Sequence, residues 1–212
     1  MSSFLRLSLL QFLALGLLAC PTAQPDDDDA ADDDDAAPVE FAFWSSAFGD
    51  GDDLPAEYEC YNTNPELLWE GVPEGTVSLA MIMDDPTAGD PGYPHWAIYN
   101  IGADATGIAA GASGDADCGP DRSLLPSGAE ELRNGFAFTG YLGSCACGFG
   151  PNTYRWRLWA LDSELDDPSA GNASAQFAAL AAAAEDAKIE VLEFGHSYGP
   201  ATPAGCSGTC AD

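Results

Sequence analysis

The stretch SLAMIM at residues 78–83 is a continuous apolar run between polar turns, and HWAIYNI at residues 95–101 is a second run of the same kind. Apolar runs of this length, bounded by turn residues, are typical of strands that are buried on both faces of a sheet. The two runs therefore predict two buried strands, and the rest of the chain can be interpreted around them.

The segments that surround these two runs also favour strands. Short alternating or aromatic-rich segments predict further strands at residues 39–46, 57–61, 154–161 and 188–194. The alanine-rich segment 172–187 starts with a residue that can cap a helix, and it predicts the one clear helix. Residues 102–127 are rich in Gly, Ala and Ser and predict a long irregular loop. The chain is therefore expected to be mostly β, with one helix near its C-terminus.

The N-terminus predicts export and a lipid anchor. Residues 1–19 hold one positive charge, Arg6, and then a short apolar run, which is the pattern of a secretory signal peptide. A permanent membrane helix needs about 20 apolar residues, more than this run offers. The sequence Leu17-Leu18-Ala19-Cys20 resembles the lipobox of bacterial lipoproteins, in which the cysteine is lipidated and becomes the new N-terminus. An ordinary signal peptide with an incidental cysteine is the alternative.

Residues 20–38 are expected to form the lipidated cysteine and an acidic tether. Residues 21–38 contain eight aspartates and neither an aromatic nor a branched aliphatic residue, so they are expected to stay disordered and extended. A calcium-binding tail is the alternative, but the run has no glycine to form the turn that calcium loops use. Pro21 follows the cysteine where an aspartate would retain a lipoprotein in the inner membrane. The expected location is therefore the outer membrane of a Gram-negative bacterium.

The charge of the chain excludes one class of partner. The formal net charge is −29, and −22 remains for the domain when Arg6 and the eight tether aspartates are left out. Nucleic-acid binding depends on Lys and Arg side chains that neutralise phosphates. The chain has six such residues against 35 acidic ones, so nucleic acid is excluded as a partner. The domain is expected to span residues 39–200, followed by a cysteine-containing tail at residues 201–212.

The cysteine count favours disulfides. Besides Cys20, the chain contains six cysteines, an even number that in an exported protein argues for disulfide bonds. The candidates are Cys60, Cys118, Cys145, Cys147, Cys206 and Cys210. Their pairing stays open, although Cys206 and Cys210 are close enough to form a bond at the C-terminus. A zinc site that includes Cys145 and Cys147 is the alternative, but the spacing fits zinc poorly. No metal site and no cofactor are therefore expected.

One motif suggests a hydrolase. Gly195-His196-Ser197-Tyr198-Gly199 matches G-x-S-x-G, the nucleophile elbow of α/β-hydrolases. That elbow is followed by a helix and later by the catalytic histidine, whereas here Pro200 follows and no histidine lies downstream. The two glycines are instead expected to flank a closing turn. Without another nucleophile–base pair, the sequence predicts a protein that is not an enzyme.

A second group of polar residues lies at the ends of predicted strands or in the loops that leave them. The pieces are Asp84-Asp85-Pro86-Thr87, Pro94-His95-Trp96, residues 141–147, and Asn152-Thr153-Tyr154-Arg155. Loops at strand ends are where a β scaffold builds a pocket. A carboxylate that keeps the imidazole protonated, a tyrosine hydroxyl and backbone amides would together suit an oxyanion. A purely structural Asp–His pair is the alternative.

These residues resemble those of the phosphatidylethanolamine-binding proteins, in particular the bacterial branch of their Raf-kinase-inhibitor-like group. The resemblance extends over residues 39–200, with the pieces in the family's order: Phe43-x-Ser45, Ala47-Phe48, Asp50-Gly51, Leu54-Pro55, Cys60, Asn64-Pro65-x-Leu67-x-Trp69, residues 71–76, Ser78-Leu79-Ala80, Asp85-Pro86, His95-Trp96, Asn100-Ile101, Asn134-Gly135-Phe136, Gly140-Tyr141-x-Gly143 and residues 154–161. It implies an antiparallel β-sandwich of a large sheet on a small sheet, with a C-terminal helix.

The resemblance also implies a surface pocket for phosphate-like groups. Asp85, His95 and Tyr154 match pocket residues, Gly143 belongs to a loop that forms one wall, and Tyr93 supplies an aromatic side. The chain departs from the family pattern D-P-D-x-P at Thr87, where the family has the second Asp, and at Gly89, where it has the second Pro. It departs again at Asn152, where the family has His. Asn152 is still expected to bind ligand, but without a charge. Weaker anion binding is therefore expected, and Cys147 is a candidate to tie the loop by a disulfide.

Several functions are compatible with these observations. The first is a membrane-anchored lipoprotein that binds a small anion or a phospholipid headgroup without catalysis. The second is an envelope inhibitor or interaction protein that acts on a hydrolase through a protein–protein contact, with a degenerate pocket. The third is a stable domain whose pocket has decayed through the changes at Thr87 and Asn152. The first is the expected function.

Overall fold

The computed structural model describes residues 38–145, 151–168 and 171–198. These contain strands β1 (Ala42–Ser45), β2 (Leu67–Glu70), β3 (Ser78–Asp85), β4 (Tyr93–Gly102), β5 (Gly107–Ile108), β6 (Glu130–Glu131), β7 (Asn152–Leu161) and β8 (Lys188–Tyr198), and one α-helix, α1 (Ala173–Ala187). The predicted signal peptide, Cys20, the tether and the tail at residues 201–212 lie outside them. Within the described ranges, no helix is long and apolar enough to cross a bilayer.

The strands form two antiparallel sheets. The larger sheet has the strand order β6-β4-β3-β7-β8, and the smaller one has the order β1-β2-β5. Side chains of both sheets meet in one hydrophobic core, in which Leu67 and Trp69 of β2 join Met81 of β3 and Trp156 of β7. The predicted β-sandwich of a large sheet on a small sheet is confirmed.

Strand β3 is buried along all eight of its residues, as its apolar run predicts. Alternate side chains point to opposite faces of a sheet. Leu79, Met81 and Met83 therefore enter the core between the sheets, whereas Ala80 and Ile82 enter a second core beneath α1. A strand that needs apolar residues at every position explains why the run does not alternate.

Helix α1 covers the outer face of the large sheet. Asn172 caps its first turn, because the side-chain oxygen of Asn172 accepts a hydrogen bond from the amide of Ala175 at 3.0 Å. Phe177, Leu180 and Ala184 lie on one face of the helix and pack into the second core. The helix predicted at residues 172–187 is therefore confirmed, with its first residue as the cap.

The antiparallel register brings one end of each long strand to a common edge. Asp85, at the end of β3, pairs with Tyr93 at the start of β4. Tyr154, near the start of β7, pairs with His196 near the end of β8. The candidate pocket residues thus come from four strand ends that lie side by side in the sheet.

Two local predictions are wrong. Residues 57–61 do not form a strand: Ala56–Tyr58 is a 3-10 helix, closed by a hydrogen bond from the amide of Tyr58 to the carbonyl of Pro55 at 2.9 Å. Gly195 does not begin a closing turn, because β8 continues to Tyr198. The loop at residues 102–127 is largely irregular as expected, but it contains β5 and two further 3-10 turns.

Candidate functional site

Asp85 is held in one orientation by two neighbouring side chains. One carboxylate oxygen accepts hydrogen bonds from the amide and the hydroxyl of Thr87, at 2.8 Å and 2.5 Å. The other oxygen accepts a hydrogen bond from the side-chain amide of Asn152 at 2.8 Å. Both partners stand where the chain departs from the family pattern. The departures therefore supply the hydrogen bonds that fix the Asp85 side chain.

His95 is buried beside this carboxylate. Its Nδ1 lies 2.9 Å from the carbonyl oxygen of Leu142, an acceptor, so Nδ1 carries a proton. Burial lowers the pKa of His95, against the opposing effects of this hydrogen bond and of the negative Asp85. The expectation that Asp85 keeps the imidazole protonated is therefore wrong, because the cost of burying a charge is larger. With the proton on Nδ1, Nε2 of the neutral ring is the acceptor nitrogen.

Tyr154 supplies a protonated hydroxyl. Burial, followed by the charge of Asp85, raises the pKa of Tyr154 to about 12. The hydroxyl interacts with the side chain of Asn152, the backbone amide of Cys145 and the side chain of Ser144. The Tyr154 ring also meets the His95 ring edge to face, with 5.0 Å between ring centroids. Asp85, His95, Tyr154 and Asn152, all predicted from the sequence, are thus brought together.

The loop at residues 141–145 is fixed from behind. Gly143 is buried, and its amide donates to the carbonyl oxygen of Cys60 at 2.7 Å. The amide of Cys60 in turn donates to the carbonyl oxygen of Ser144 at 3.1 Å. A Cβ atom on Gly143 would lie 2.2 Å from the carbonyl oxygen of Tyr58. Gly143 therefore permits the close approach of two backbones, which positions the loop that the resemblance assigned to one wall.

A disulfide joins the same two segments. Cys60 and Cys145 are bonded, with their Cα atoms 4.7 Å apart. Cys118 is also disulfide-bonded. Cys147, Cys206 and Cys210 lie outside the described residues. The expectation of disulfides is confirmed for three of the six candidate cysteines, and Cys145 ties the pocket loop to Cys60.

A buried network of hydrogen-bonded side chains lies behind Tyr154 and was not predicted from the sequence. Nδ1 of His196 accepts a hydrogen bond from the indole of Trp156 at 2.8 Å, so the neutral ring has its proton on Nε2. That Nε2 lies 2.5 Å from the hydroxyl oxygen of Ser144 and donates to it. The His196 ring stacks on the ring of Tyr154, with 4.8 Å between centroids. The sequence pattern that could have revealed this network is the alternation of Phe194, His196 and Tyr198 along β8, since all three side chains are buried.

This tautomer bears on catalysis. A serine nucleophile is activated when a neighbouring histidine nitrogen accepts its proton. Nε2 of His196 already holds a proton in the neutral ring, so in this arrangement it cannot accept the proton of Ser144. Ser197, the serine of the G-x-S-x-G motif, lies within β8, where it pairs with Thr153. Neither serine has the geometry of an activated nucleophile.

We predict that His196 makes the domain sensitive to acid. Burial, followed by the proximity of His95, lowers the pKa of His196 to about 3. The unfolded chain binds a proton at this histidine below about pH 6.5, whereas the folded domain does not, so stability is lost as the pH falls. His196 alone should lower the free energy of unfolding by about 2 kcal/mol between pH 7 and pH 5. Urea unfolding at the two pH values measures this loss.

The matched variant for this prediction is His196→Gln. Glutamine can still accept the hydrogen bond from Trp156 and donate one to Ser144. Its stability should therefore fall less steeply with acid than that of the wild type, while contributions from carboxylates and His95 remain in both proteins. Equal pH dependence in the two proteins would show that His196 does not cause the acid sensitivity.

Aromatic side chains extend from the pocket to the surface. Tyr93 meets the His95 ring at a centroid distance of 5.3 Å and the ring of Phe136 at 6.3 Å. Tyr61 meets Phe136 at 5.5 Å. The Phe136 side chain is 52% exposed. Tyr93 thus lies beside His95 and begins an aromatic rim that includes Tyr61 and the exposed Phe136.

The described part of the chain has no cluster of three or more His, Cys, Asp or Glu side chains that could hold a metal ion. The zinc alternative involved Cys145, which is disulfide-bonded to Cys60. It also involved Cys147, which lies outside the described residues. A disulfide sulfur is not a thiolate, the form of cysteine that binds zinc. Cys145 is therefore not a zinc ligand here.

Comparison with known proteins gives sequence matches across the whole candidate site. A family model described as phosphatidylethanolamine-binding protein matches residues 44–195. The UPF0098 protein of Methanothermobacter thermautotrophicus is 39% identical over 122 residues, which are 57% of this chain and 76% of that protein. The putative lipoprotein LppC of Mycobacterium tuberculosis is 32% identical over 163 residues, which cover 74% of each chain. The family match includes Asp85, His95, Gly143 and Tyr154.

Solved structures give the same result for the fold. The crystal structure of Escherichia coli YbcL, described as a new member of the mammalian PEBP family, aligns with a TM-score of 0.65 at 30% identity. The alignment covers 77% of this chain and 100% of YbcL. A putative homologue of these proteins from Chlamydia trachomatis, CT736, aligns with a TM-score of 0.60 at 24% identity over 76% of this chain, a likeness of fold alone.

Proposed function

The chain belongs to the phosphatidylethanolamine-binding protein family, and on that premise we propose that its domain binds a phosphorylated headgroup or another small anion in the pocket of Asp85, His95 and Tyr154. We further propose that binding is not coupled to catalysis. The protein is exported and held by lipid on Cys20 at the outer membrane of a Gram-negative bacterium. Its similarity to the putative lipoprotein LppC supports an envelope location.

One observation supports a working pocket rather than a decayed one. The two residues that depart from the family pattern, Thr87 and Asn152, donate three hydrogen bonds to the two oxygens of Asp85. These bonds satisfy both oxygens of the buried Asp85 and hold its carboxylate in one orientation. The side chains around His95 are therefore already arranged before a ligand arrives, which reduces the entropy cost of binding.

The protonation of the pocket specifies what the ligand must bring. The neutral His95 offers Nε2 and Asp85 offers its carboxylate, so both groups accept hydrogen bonds. An oxyanion fits beside them only when a proton is shared between the anion and one of these acceptors. A singly protonated phosphate ester supplies that proton, and such esters have a second pKa of about 6. Binding should therefore take up a proton at neutral pH.

We predict that anion affinity rises as the pH falls. The pKa of His95 is lowered in the free protein, and a bound anion would raise it, so protons favour the complex. Calorimetric titration with phosphoethanolamine should give an affinity at least about tenfold higher at pH 5.5 than at pH 7.5, since each pKa unit corresponds to 1.36 kcal/mol. Titration in buffers of different ionisation enthalpy would report the proton uptake directly.

The variant that tests the site itself is His95→Gln. Glutamine can donate a hydrogen bond to Leu142 but cannot take a proton, so both the saturable heat and its pH dependence should be lost. His196→Gln is the matched control, because it changes the same residue type outside the pocket and should retain binding. Saturable binding that is unchanged in His95→Gln would refute the assignment of the pocket.

The exposed aromatic rim favours a second candidate function, an envelope protein that inhibits or binds a hydrolase. Aromatic side chains are enriched among the residues that contribute most to protein–protein binding, and Phe136 is exposed beside Tyr61 and Tyr93. The two candidates differ in their response to the same variant. If His95→Gln loses phosphoethanolamine but still inhibits the hydrolase, the interaction function is favoured.

The proposed anchor gives a further prediction. The Cys20→Ser variant cannot be lipidated, so the mature protein should move from the detergent phase to the aqueous phase on Triton X-114 partition. Its polar tether and its net charge favour the aqueous phase once the acyl chains are absent. Metabolic labelling with palmitate should mark the wild type only. Equal labelling of both proteins would contradict lipidation at this cysteine.

A further inference from the structure

A cavity lies apart from Asp85, His95 and Tyr154. It has a volume of about 570 Å³ and lies between the turn that follows β6 and the first turn of α1. Its lining includes Tyr93, Arg133, Gly135, Ala173, Ser174 and Gln176. Sites for small organic ligands typically have volumes of about 300 to 1,000 Å³. The cavity is therefore large enough for an organic molecule and much larger than a bare phosphate ion needs.

The charges around this cavity differ from those of the rest of the domain. The chain has 35 acidic residues, yet none of the described residues that line the cavity is acidic. Arg133 lines it and is exposed. Elsewhere in the described ranges each cation has a carboxylate partner: Arg122 pairs with Glu131, Arg155 and Arg157 pair with Asp84, and Lys188 pairs with Glu185. Of the lysines and arginines in the described ranges, only Arg133 has no ion pair.

An unpaired arginine is a significant feature on a domain this acidic. A guanidinium is attracted to any nearby carboxylate. The absence of acidic side chains from this wall leaves Arg133 free to bind a ligand from solution. Ser174 and Gln176 on the opposite wall add a hydroxyl and an amide, which can donate hydrogen bonds to oxygen atoms. A planar guanidinium with further donors nearby is a common arrangement for binding carboxylate or phosphate groups.

We propose that this cavity binds a small organic anion, a molecule with a carboxylate or phosphate group that pairs with Arg133. The site is distinct from the proposed pocket because Tyr93 stands between them. One side of the Tyr93 ring faces Gly135, where an added Cβ would lie 2.3 Å from the ring, and its edge meets His95. The cavity therefore offers a second, independent binding site on the same domain.

The test is calorimetric titration of the whole mature protein with citrate and, separately, with glycerol 3-phosphate. Arg133→Gln should weaken binding of at least one of these probes at least tenfold. Lys188→Gln is the matched control, because it removes one positive charge from an exposed ion pair away from the cavity, and it should leave binding unchanged. Tighter binding of citrate would identify a carboxylate site, and tighter binding of glycerol 3-phosphate a phosphate site.

Ala173→Glu provides a variant that should not lose stability. An acidic residue in the first turn of a helix is favourable for the helix, yet here it would place a negative charge in the cavity wall and should abolish binding. His95→Gln should leave binding in this cavity unchanged. A loss of binding in the cavity can therefore be distinguished from a loss of binding in the proposed pocket. The proposal would be overturned if neither probe bound, if Arg133→Gln bound like the wild type, or if Lys188→Gln weakened binding equally.

Discussion

Replacing Cys60 and Cys145 together by serine is expected to lower the free energy of unfolding by about 4 kcal/mol. The bond joins residues 85 positions apart. In the loop-closure model, opening a loop of this length increases the chain entropy of the unfolded state by an amount worth roughly 4 to 5 kcal/mol. Urea unfolding followed by tryptophan fluorescence measures the change, because Trp69, Trp96, Trp156 and Trp159 are all buried.

The double replacement avoids a free thiol that could form incorrect disulfides. Reductant should destabilise the wild type by at least as much as the double replacement does, because it also opens the bond of Cys118. A loss below about 1 kcal/mol in the double variant would show that the loop is held by packing alone. At a temperature where both proteins are folded, the variant should bind phosphoethanolamine more weakly, since Cys145 lies in the loop that contacts Tyr154.

Gly143→Ala is expected to have the second largest effect. The added methyl group would lie 2.2 Å from the carbonyl oxygen of Tyr58 and 2.7 Å from the amide nitrogen of Cys60. Both contacts are with backbone atoms, which cannot move without breaking the hydrogen bonds between the two segments. We expect a loss of about 3 kcal/mol in the free energy of unfolding, at the upper end of overpacking effects. Phosphoethanolamine affinity should fall at least tenfold.

Gly49→Ala is the matched control for this substitution. A methyl group there would meet only the side-chain carboxylate of Asp52, at 2.9 Å, and an exposed side chain can rotate away. Stability and binding should therefore stay close to those of the wild type. If Gly143→Ala behaved in the same way, the close backbone contact at Gly143 would not be what positions the pocket loop.

The main strands could be predicted because their patterns have a single interpretation. The apolar run at residues 78–83 is too short for a typical helix and is bounded by polar turns, so it indicates a strand with two buried faces, and β3 is such a strand. The segment at residues 57–61 was predicted incorrectly, because its short pattern is overridden by Pro55 and by a left-handed backbone at Cys60, with φ of 54°. Short segments are determined by the local backbone and by tertiary contacts more than by periodicity.

The candidate site was predictable in its residues but not in its protonation. Asp85, His95 and Tyr154 follow from the order of the matching pieces, and the register of the strands brings them together. Whether His95 carries a charge depends on its burial and on its hydrogen bond to Leu142, which lies far away in the chain. The hydrogen bonds from Thr87 and Asn152 to Asp85 likewise need the folded geometry, so the sequence showed these two residues only as departures from the family pattern.

The strand order of the large sheet also governs when the protein can fold. Strand β3 lies at the centre between β4 and β7, and Ser78 pairs with Leu161. Half of the partners of β3 are therefore synthesised long after it, and such non-local pairing folds slowly. Until β7 and α1 are made, one edge of β3 has no partner strand and the face that carries Ala80 and Ile82 is not covered by the helix. The large sheet therefore cannot be completed until residue 198 at the end of β8 has been synthesised.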